Sequence, residues 1–156
     1  MNLITANLNQ TDEIYNLVQE TIKTVYPKYY ASGVVNFFCQ HHSVEEIRDD
    51  IQKGFVYVVA LDEKIVATGT LDGNHITRVF VKPEYQGQGI GSFIFDTFEK
   101  MIFAHADFVE LDASLAAAVM YEKRGYKTVR HETTDCENGS ILVYEVMLLD
   151  KINSVV

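Results

Sequence analysis

Three glycines before an apolar helical segment are the residues whose spacing first suggests chemistry. In "PEYQGQGIGS", residues 83–92, Gly87, Gly89 and Gly91 alternate with larger residues. Glycine disfavours a helix by about 1 kcal/mol relative to alanine, so the run suits a loop that lets a ligand approach the backbone. The first amides of a helix lack internal partners and attract anions. The stretch is interpreted as an anion-binding loop; the alternative is a loop that only turns the chain.

Two common nucleotide-binding motifs do not fit this stretch. No lysine follows the glycines as in a P-loop, and the spacing is GxGxG instead of GxGxxG. The strand before the glycines also belongs to an antiparallel meander and not to a βαβ unit. The anion site, if present, is therefore of another kind.

Apolar periodicity predicts the elements that position this loop. Helices are predicted from Glu13 to Tyr26, after a cap at Thr11 or Asp12, from about Val34, and after Ser43, where Glu46 completes a capping box. Strands are predicted at 2–7, 55–61, 65–71, 75–81, 108–114, 126–134 and 140–149, with further helices from Ile90 and at 115–125. The crossover through the helix at residue 90 implies one parallel strand pair. The prediction is a single domain, 1–156, of the α/β (α+β) class, with a mixed, mostly antiparallel sheet of six or seven strands and helices on both faces.

Two segments resemble the GCN5-related N-acetyltransferase (GNAT) superfamily. Gln86, Gly89 and Gly91 match the pyrophosphate loop of that family, Arg/Gln-x-x-Gly-x-Gly/Ala. "DASLAAAVMYEKRGY" resembles the family segment Asn-x-x-Ala-x-x-Phe/Leu-Tyr-x-x-x-Gly-Phe, with Ser114 in place of Asn and Tyr126 in place of the final Phe. The order of elements from residue 2 to about 149 also fits.

The resemblance implies a sheet with a V-shaped splay between strands 75–82 and 107–112, with acetyl-CoA in the gap. The pantetheine amides would pair with the backbone of Val79, Phe80 and Val81, and the pyrophosphate with the loop amides. Ser114 and Ala117 would lie beside the cofactor, with the Ser114 hydrogen bond weaker than that of Asn or different from it. The loop residues concerned are Gln86, Gly87, Gln88, Gly89, Ile90, Gly91 and Ser92.

The resemblance also implies catalytic roles. Tyr121 stands where the family has a tyrosine that protonates the departing thiolate; the alternative is an aromatic residue that only packs on the sheet. His75 stands where many relatives carry a glutamate base, and an imidazole suits that task because it titrates near neutrality. The alternative makes His75 a solvent-facing turn residue and leaves proton removal to a water chain. An amide near Phe80 or Val81 would stabilise the oxyanion.

The aromatic segment "VYPKYYASGVVNFFCQHH" is expected to build the acceptor pocket, with Tyr26, Tyr30 and His41 as substrate contacts. The alternative, preferred for the phenylalanines, is a small core between helices and sheet. For Tyr30, His41 and His42 the sequence leaves the choice open. No metal is expected, since the side chains of adjacent helical residues such as His41 and His42 point apart.

Composition narrows the functional class. The net charge of -9 disfavours nucleic acid and suits a cationic partner, although acidity also serves solubility alone. No apolar run reaches the length of a membrane span, and no secretory signal is apparent, so a cytoplasmic protein, monomer or homodimer, is expected.

The prediction is an acetyl-CoA-dependent N-acetyltransferase acting on a small-molecule primary amine. The alternatives are a protein or peptide Nα- or Lys-acetyltransferase and a non-catalytic acyl-CoA-binding regulatory module; acetylation of an aminoacyl-tRNA fits the charge poorly.

Overall fold

A computed structural model describes residues 1–153, apart from the side chain of Ala116. Within that range the chain forms seven strands and five α-helices. The strands are β1 Leu3–Thr5, β2 Val56–Leu61, β3 Lys64–Asp72, β4 His75–Val81, β5 Phe108–Ser114, β6 Lys127–Asp135 and β7 Ile141–Asp150. The helices are α1 Thr11–Val25, α2 Ser32–His41, α3 Val44–Gln52, α4 Ile90–Phe103 and α5 Leu115–Lys123.

The strands form one sheet in the order β1-β2-β3-β4-β5-β7-β6. All neighbours are antiparallel except β4 and β5, which are parallel and joined by α4. The β4–β5 ladder is short: only His75 pairs with Glu110 and Ile76 with Leu111. Beyond Ile76 the two strands part. The predicted splay is therefore confirmed, and its closed end lies at His75 and Ile76.

Helices cover both faces of the sheet, as predicted. On one face α1, α2 and α3 bury Ile14, Val35 and Ile47 against strand residues that include Phe80. On the other face α4 and α5 pack over the middle of the sheet. The buried side chains of these two helices are Ile90, Ile94, Phe95, Phe98, Ile102 and Ala118.

Two glycines allow elements to approach closely. A Cβ atom on Gly69 in β3 would lie 2.7 Å from the Phe98 ring, so a side chain there would push α4 off the sheet. A Cβ atom on Gly33 in α2 would lie 2.3 Å from the carbonyl oxygen of Glu137. The Asn36 side-chain nitrogen also donates to a Glu137 carboxylate oxygen at 3.2 Å. Helix α2 is therefore seated on the β6–β7 turn.

The predicted elements agree with the observed ones apart from their ends. Strand β4, strand β5 and the start of α4 lie where the sequence predicted them. β1 is shorter than predicted, β6 and β7 each begin one residue later, and α2 begins two residues earlier than Val34. The Ser43 hydroxyl accepts from the Glu46 amide at 3.2 Å, which confirms the cap of α3, but the Glu46 side chain does not accept from the Ser43 amide, so the predicted capping box is only half formed. Across residues 1–153, every helix is too short or too polar to span a bilayer.

Candidate active site

A cavity of about 320 Å³ runs through the splay. On the α4–α5 face it is lined by Phe95, Ala117 and Tyr121, and on the α1–α2 face by Tyr26 and Phe38. The remaining lining residues are Phe37, His41, His42, Ile76, Thr77, Arg78, Val79, Phe80, Leu111, Asp112, Ser114, Thr134, Leu142 and Tyr144. Because the two strands part here, one cavity reaches both faces of the sheet.

The backbone of β4 presents unpaired groups to the gap. The Lys82 amide donates to the Val66 carbonyl at 2.9 Å, and hydrogen-bonded pairs alternate along an antiparallel ladder. Phe80, opposite Thr68, therefore directs its amide and carbonyl toward β3. Val79 and Val81 direct theirs away from β3, into the splay. The expectation for the Phe80 backbone is thus corrected, although the Phe80 side chain lines the cavity.

The glycine loop is open and ends at the start of α4. Gly87 and Gly89 have φ of 75° and 81°, and a Cβ atom on either would meet nothing within 4 Å. Among the described residues, the amides of Gly87, Gln88 and Gly89 donate to no group. Ile90 is buried in the core and holds the first turn of α4 in place, beside Gly91 and the exposed Ser92. The loop thus offers outward-facing amides with room for phosphate oxygens.

Gln86 holds the glycine loop against the sheet. Its backbone amide donates to the Pro83 carbonyl at 3.2 Å, so this amide differs from the expectation of a free anion donor. Its side-chain nitrogen donates to the Val81 carbonyl at 2.9 Å. Gln86 therefore connects the loop to the open edge of β4, and the amide is the wholly unpaired group of the Val81 backbone.

Tyr121 lies on α5 with its ring packed between two aromatic rings and its hydroxyl unpaired. The ring centroid is 5.3 Å from that of Phe95 and 5.8 Å from that of Tyr126. Within residues 1–153 no group accepts from the Tyr121 hydroxyl, and the residue lines the cavity. Burial raises the pKa of Tyr121 to about 12. The phenol is therefore protonated at neutral pH and available to donate.

A clamp between α4 and α5 fixes the position of Tyr121. The Arg124 guanidinium binds Asp96 at 2.7 Å and Glu99 at 2.9 Å, and it lies 5.4 Å from the Phe95 ring centroid. The Tyr126 hydroxyl also donates to Glu99, at 2.9 Å. Tyr126 is thus a structural phenol, in contrast to Tyr121.

Ser114, the N-cap of α5, and Ala117, in the first turn of that helix, both line the cavity. The Ser114 hydroxyl accepts from the Ala117 amide at 3.2 Å and so caps the helix. A serine oxygen that caps a helix still has a hydrogen to donate. Ser114 therefore keeps one interaction for a neighbouring ligand.

His75 lies at the closed end of the splay and does not line the cavity. Its Nε2 atom is buried without a hydrogen-bond partner and lies 3.9 Å from an Asp112 carboxylate oxygen. Asp112, by contrast, lines the cavity. Burial raises the pKa of Asp112, and the neighbouring His75 opposes that shift. Asp112 is therefore a neighbour of His75 that also lines the cavity.

The predicted acceptor residues divide into two groups. Tyr26 and His41 line the cavity; burial raises the pKa of Tyr26, and Tyr30 and Tyr121 raise it further. The structure differs for Tyr30, which packs behind Tyr26 with ring centroids 5.7 Å apart and does not line the cavity. The Tyr30 hydroxyl is buried without a hydrogen-bond partner. Phe38, 4.9 Å from Tyr26 between ring centroids, packs against the core as the sequence favoured, and it also lines the cavity.

The comparisons with known proteins agree with this geometry. A family profile described as "Acetyltransferase (GNAT) domain" matches residues 25–147, most of the chain. The chain belongs to the GNAT acetyltransferase family. The resemblance noted from the glycine loop and the α5 segment is thereby confirmed, and the protein is an acetyl-CoA-dependent acyltransferase by family.

This GNAT acetyltransferase is similar to one curated protein sequence and to several solved structures. It is 24% identical over 111 residues to the uncharacterized N-acetyltransferase YafP of Escherichia coli (strain K12), covering 64% of this chain and 71% of that protein. The crystal structure of a GCN5-related N-acetyltransferase from Rhodopseudomonas palustris, described as "Aminotransferase, Class-II", has a TM-score of 0.86, at 22% identity, over 96% of this chain and 94% of that one. The PaiA N-acetyltransferase of Thermoplasma acidophilum, solved in complex with coenzyme A, has a TM-score of 0.74, at 15% identity, over 96% and 98%. These structural likenesses show the GNAT fold.

Sequence reasoning about this GNAT protein missed one polar pair. Arg78 in β4 and His42 after α2 are 8% and 7% exposed, and both line the cavity. An arginine in the apolar strand "HITRVFV" was a usable signal, because a charge in a buried strand needs a partner. The partner could not be named from the sequence, since His42 lies 36 residues away.

Proposed function

We propose that this GNAT protein binds acetyl-CoA and transfers its acetyl group to the primary amine of a small cytoplasmic molecule. One observation carries the proposal: a single cavity joins the unpaired β4 backbone and Tyr121 on one face to an aromatic chamber on the other. The chamber is the part of the cavity lined by Tyr26, Phe37, Phe38, His41 and His42. This arrangement suits two substrates that meet at the splay.

The groups around the gap fit acetyl-CoA. The outward amides of Gly87, Gln88 and Gly89 would hold pyrophosphate oxygens, and one of the Val79 and Val81 amides would pair with a pantetheine carbonyl, which leaves the other for the reacting carbonyl. The space beside Gly87 and Gly89 is open, since a Cβ atom built on either would meet nothing within 4 Å. When bound, acetyl-CoA supplies an activated acetyl group and a thiol leaving group.

The chain's own residues would then serve three roles in acetyl transfer. The unpaired amide of Val81 or Val79 would stabilise negative charge developing on the carbonyl oxygen. The Tyr121 hydroxyl would donate its proton to the departing sulfur. Its raised pKa keeps the phenol protonated until that step.

The acceptor amine must lose a proton before attack. We assign this step to the His75–Asp112 pair, reached from the cavity through water, because Asp112 lines the cavity and its carboxylate lies 3.9 Å from His75 Nε2. A route through water is needed because His75 itself does not line the cavity. No metal takes part in this proposal.

A small acceptor is favoured over a protein because α2 covers one side of the chamber. Gly33 allows α2 to pack closely against the Glu137 carbonyl, and Phe37, Phe38 and His41 of the same helix line the cavity. A peptide would need an open groove along this face. The chamber is of a size typical for small ligands.

The test is an acceptor screen that follows free CoA release, with thermal unfolding measured with and without acetyl-CoA. The expected result is a rise in melting temperature with acetyl-CoA and release of CoA with at least one small amine. Release only with a protein or peptide amine would contradict the small acceptor. No thermal shift at millimolar acetyl-CoA would remove the cofactor assignment, and binding without turnover of any amine would indicate a regulatory module.

A further inference from the structure

A buried hydrogen-bond donor faces the acceptor chamber. His42 is 7% exposed, lines the cavity, and its ring is 5.3 Å from that of Phe80 between centroids. Its ring is held by Arg78, which donates from Nε to His42 Nδ1 at 3.2 Å. The second ring nitrogen, Nε2, has no partner among residues 1–153.

The tautomer of His42 follows from this bond. An arginine Nε can only donate, so His42 Nδ1 must accept and carries no hydrogen. Burial, followed by the charge of Arg78, lowers the pKa of His42 to about 3. The ring is therefore neutral near pH 7, and its single N–H lies on Nε2.

Nε2 is open to the chamber. The described side-chain atoms that are fully enclosed without a partner are the Tyr30 hydroxyl and His75 Nε2, and His42 Nε2 is not among them. A mostly buried ring that lines a cavity and keeps one accessible N–H presents that N–H to whatever fills the cavity. In the empty cavity water can accept from it; a bound ligand must replace that water.

The charge near His42 is already balanced. Arg78 donates from Nη2 to an Asp50 oxygen at 2.7 Å and from Nη1 to the Thr70 hydroxyl at 3.3 Å. Arg78 and Asp50 therefore form a neutral pair behind the ring. What the chamber offers a ligand at this point is a directed donor and not a negative charge.

We infer that the acceptor carries a carbonyl or carboxylate oxygen that accepts a hydrogen bond from His42 Nε2. This inference rests on the proposed function and specifies its substrate class: an amine with an sp² oxygen and an apolar body, such as an amino acid or its amide. An amine whose polar groups are all donors, such as a polyamine, leaves His42 Nε2 unpaired. A site built to donate to an oxygen rejects analogues that lack it.

Three amines that share a ring test this inference: phenylalaninamide, phenylalanine and phenethylamine. They differ at the sp² oxygen, absent only from phenethylamine. We expect kcat/KM for the amide or the carboxylate to exceed that for phenethylamine by about 10-fold or more. Which of the two is better identifies the oxygen as amide or carboxylate. Calorimetric titration of the same three amines into the CoA-loaded protein should show the same order of affinity.

Two substitutions separate the donor from its support. His42→Asn keeps an oxygen that can accept from Arg78, but its shorter side chain leaves no donor at the Nε2 position, and the preference should fall to about 3-fold or less. His42→Gln places an amide nitrogen near the Nε2 position and should retain part of the preference. Gln40→Ala, on the exposed side of α2, is the matched control and should keep the full preference.

The results that overturn the inference are distinct from those that overturn the proposed function. Equal or better use of phenethylamine by the wild type, or an unchanged preference in His42→Asn, rejects the role of His42. The absence of turnover and binding for all three amines also rejects it. CoA release with another amine, such as spermidine, would then leave the acetyltransferase proposal intact.

Discussion

Arg78 and His42 determine each other's hydrogen-bonding state inside the protein. The arginine Nε donates to His42 Nδ1 at 3.2 Å, and both side chains are more than nine-tenths buried. The arginine is paired with Asp50 at 2.7 Å, so its charge is compensated. The imidazole is thereby kept neutral with one proton on Nε2. A strand residue and a residue after α2 thus jointly define the chemistry of one cavity wall.

This pair predicts a pH dependence of stability. Burial and Arg78 lower the pKa of folded His42 to about 3, whereas an unfolded histidine has a pKa of about 6.5. Between these values the unfolded chain binds a proton that the folded chain does not. Stability from this group is therefore full above pH 6.5 and falls as pH decreases, by about 2 kcal/mol between pH 7 and 5. Urea unfolding across that range measures it.

The control for this pH dependence is the neighbouring histidine. His42→Asn should remove that part of the dependence, because asparagine does not titrate. His41→Asn, an exposed position, should keep it. Identical pH profiles for the wild type and His42→Asn would show that His42 is not held neutral by the fold.

Tyr121→Phe is expected to lower kcat about 100-fold or more with little change in acetyl-CoA affinity, because it removes the donated proton and keeps the ring. Steady-state kinetics and the melting temperature measure both effects. Tyr126→Phe is the matched control: it removes a hydroxyl bonded to Glu99 and should reduce stability by about 1 kcal/mol with nearly unchanged kcat. Full activity in Tyr121→Phe would leave water as the proton donor.

Gly89→Glu is expected to abolish the stabilisation by acetyl-CoA, because it adds bulk and negative charge at the loop amides. In the wild type that stabilisation should be about 2.7 kcal/mol at 100-fold excess over Kd. Gly73→Glu is matched in strain, since Gly73 also has a positive φ, 61°, and open space around its Cβ position. Of the two variants, only Gly73→Glu should have a higher melting temperature in the presence of acetyl-CoA. Equal shifts in both variants would mean that the loop is only a turn.

His75→Gln should lower kcat/KM about 10-fold or more at neutral pH, because the pair that accepts the amine proton is lost. Asp112→Asn should reduce activity by the same route, since Asp112 lines the cavity and its carboxylate neighbours His75. The measurement is kcat/KM against pH for the wild type and both variants. A wild-type profile in His75→Gln would assign proton removal to water alone.

Much of the fold was predictable because local pattern and fold agree in this chain. The alternation in "HITRVFV" and the helical spacing from Ile90 each match an observed element, and the capping role of Ser43 is confirmed. Strand ends were less predictable, since the last pairing depends on the partner strand. The two-residue shift at the start of α2 has a similar origin, because its Gly33 is seated on the distant turn at Glu137.

The sequence by itself determined the family, the order of elements and the loop that begins α4, because each is carried by neighbouring residues at a set spacing. Tertiary structure alone decided which groups share the cavity. The β3–β4 register directs the Phe80 backbone groups toward β3 and leaves those of Val79 and Val81 facing the splay. Packing of the aromatic rings places Tyr30 behind Tyr26. Arg78 bonds to His42 and Asp50 because α2 and α3 pack against the sheet and bring these residues to β4. Such contacts depend on how helices dock, and no local pattern in a single sequence encodes a pairing across 36 residues.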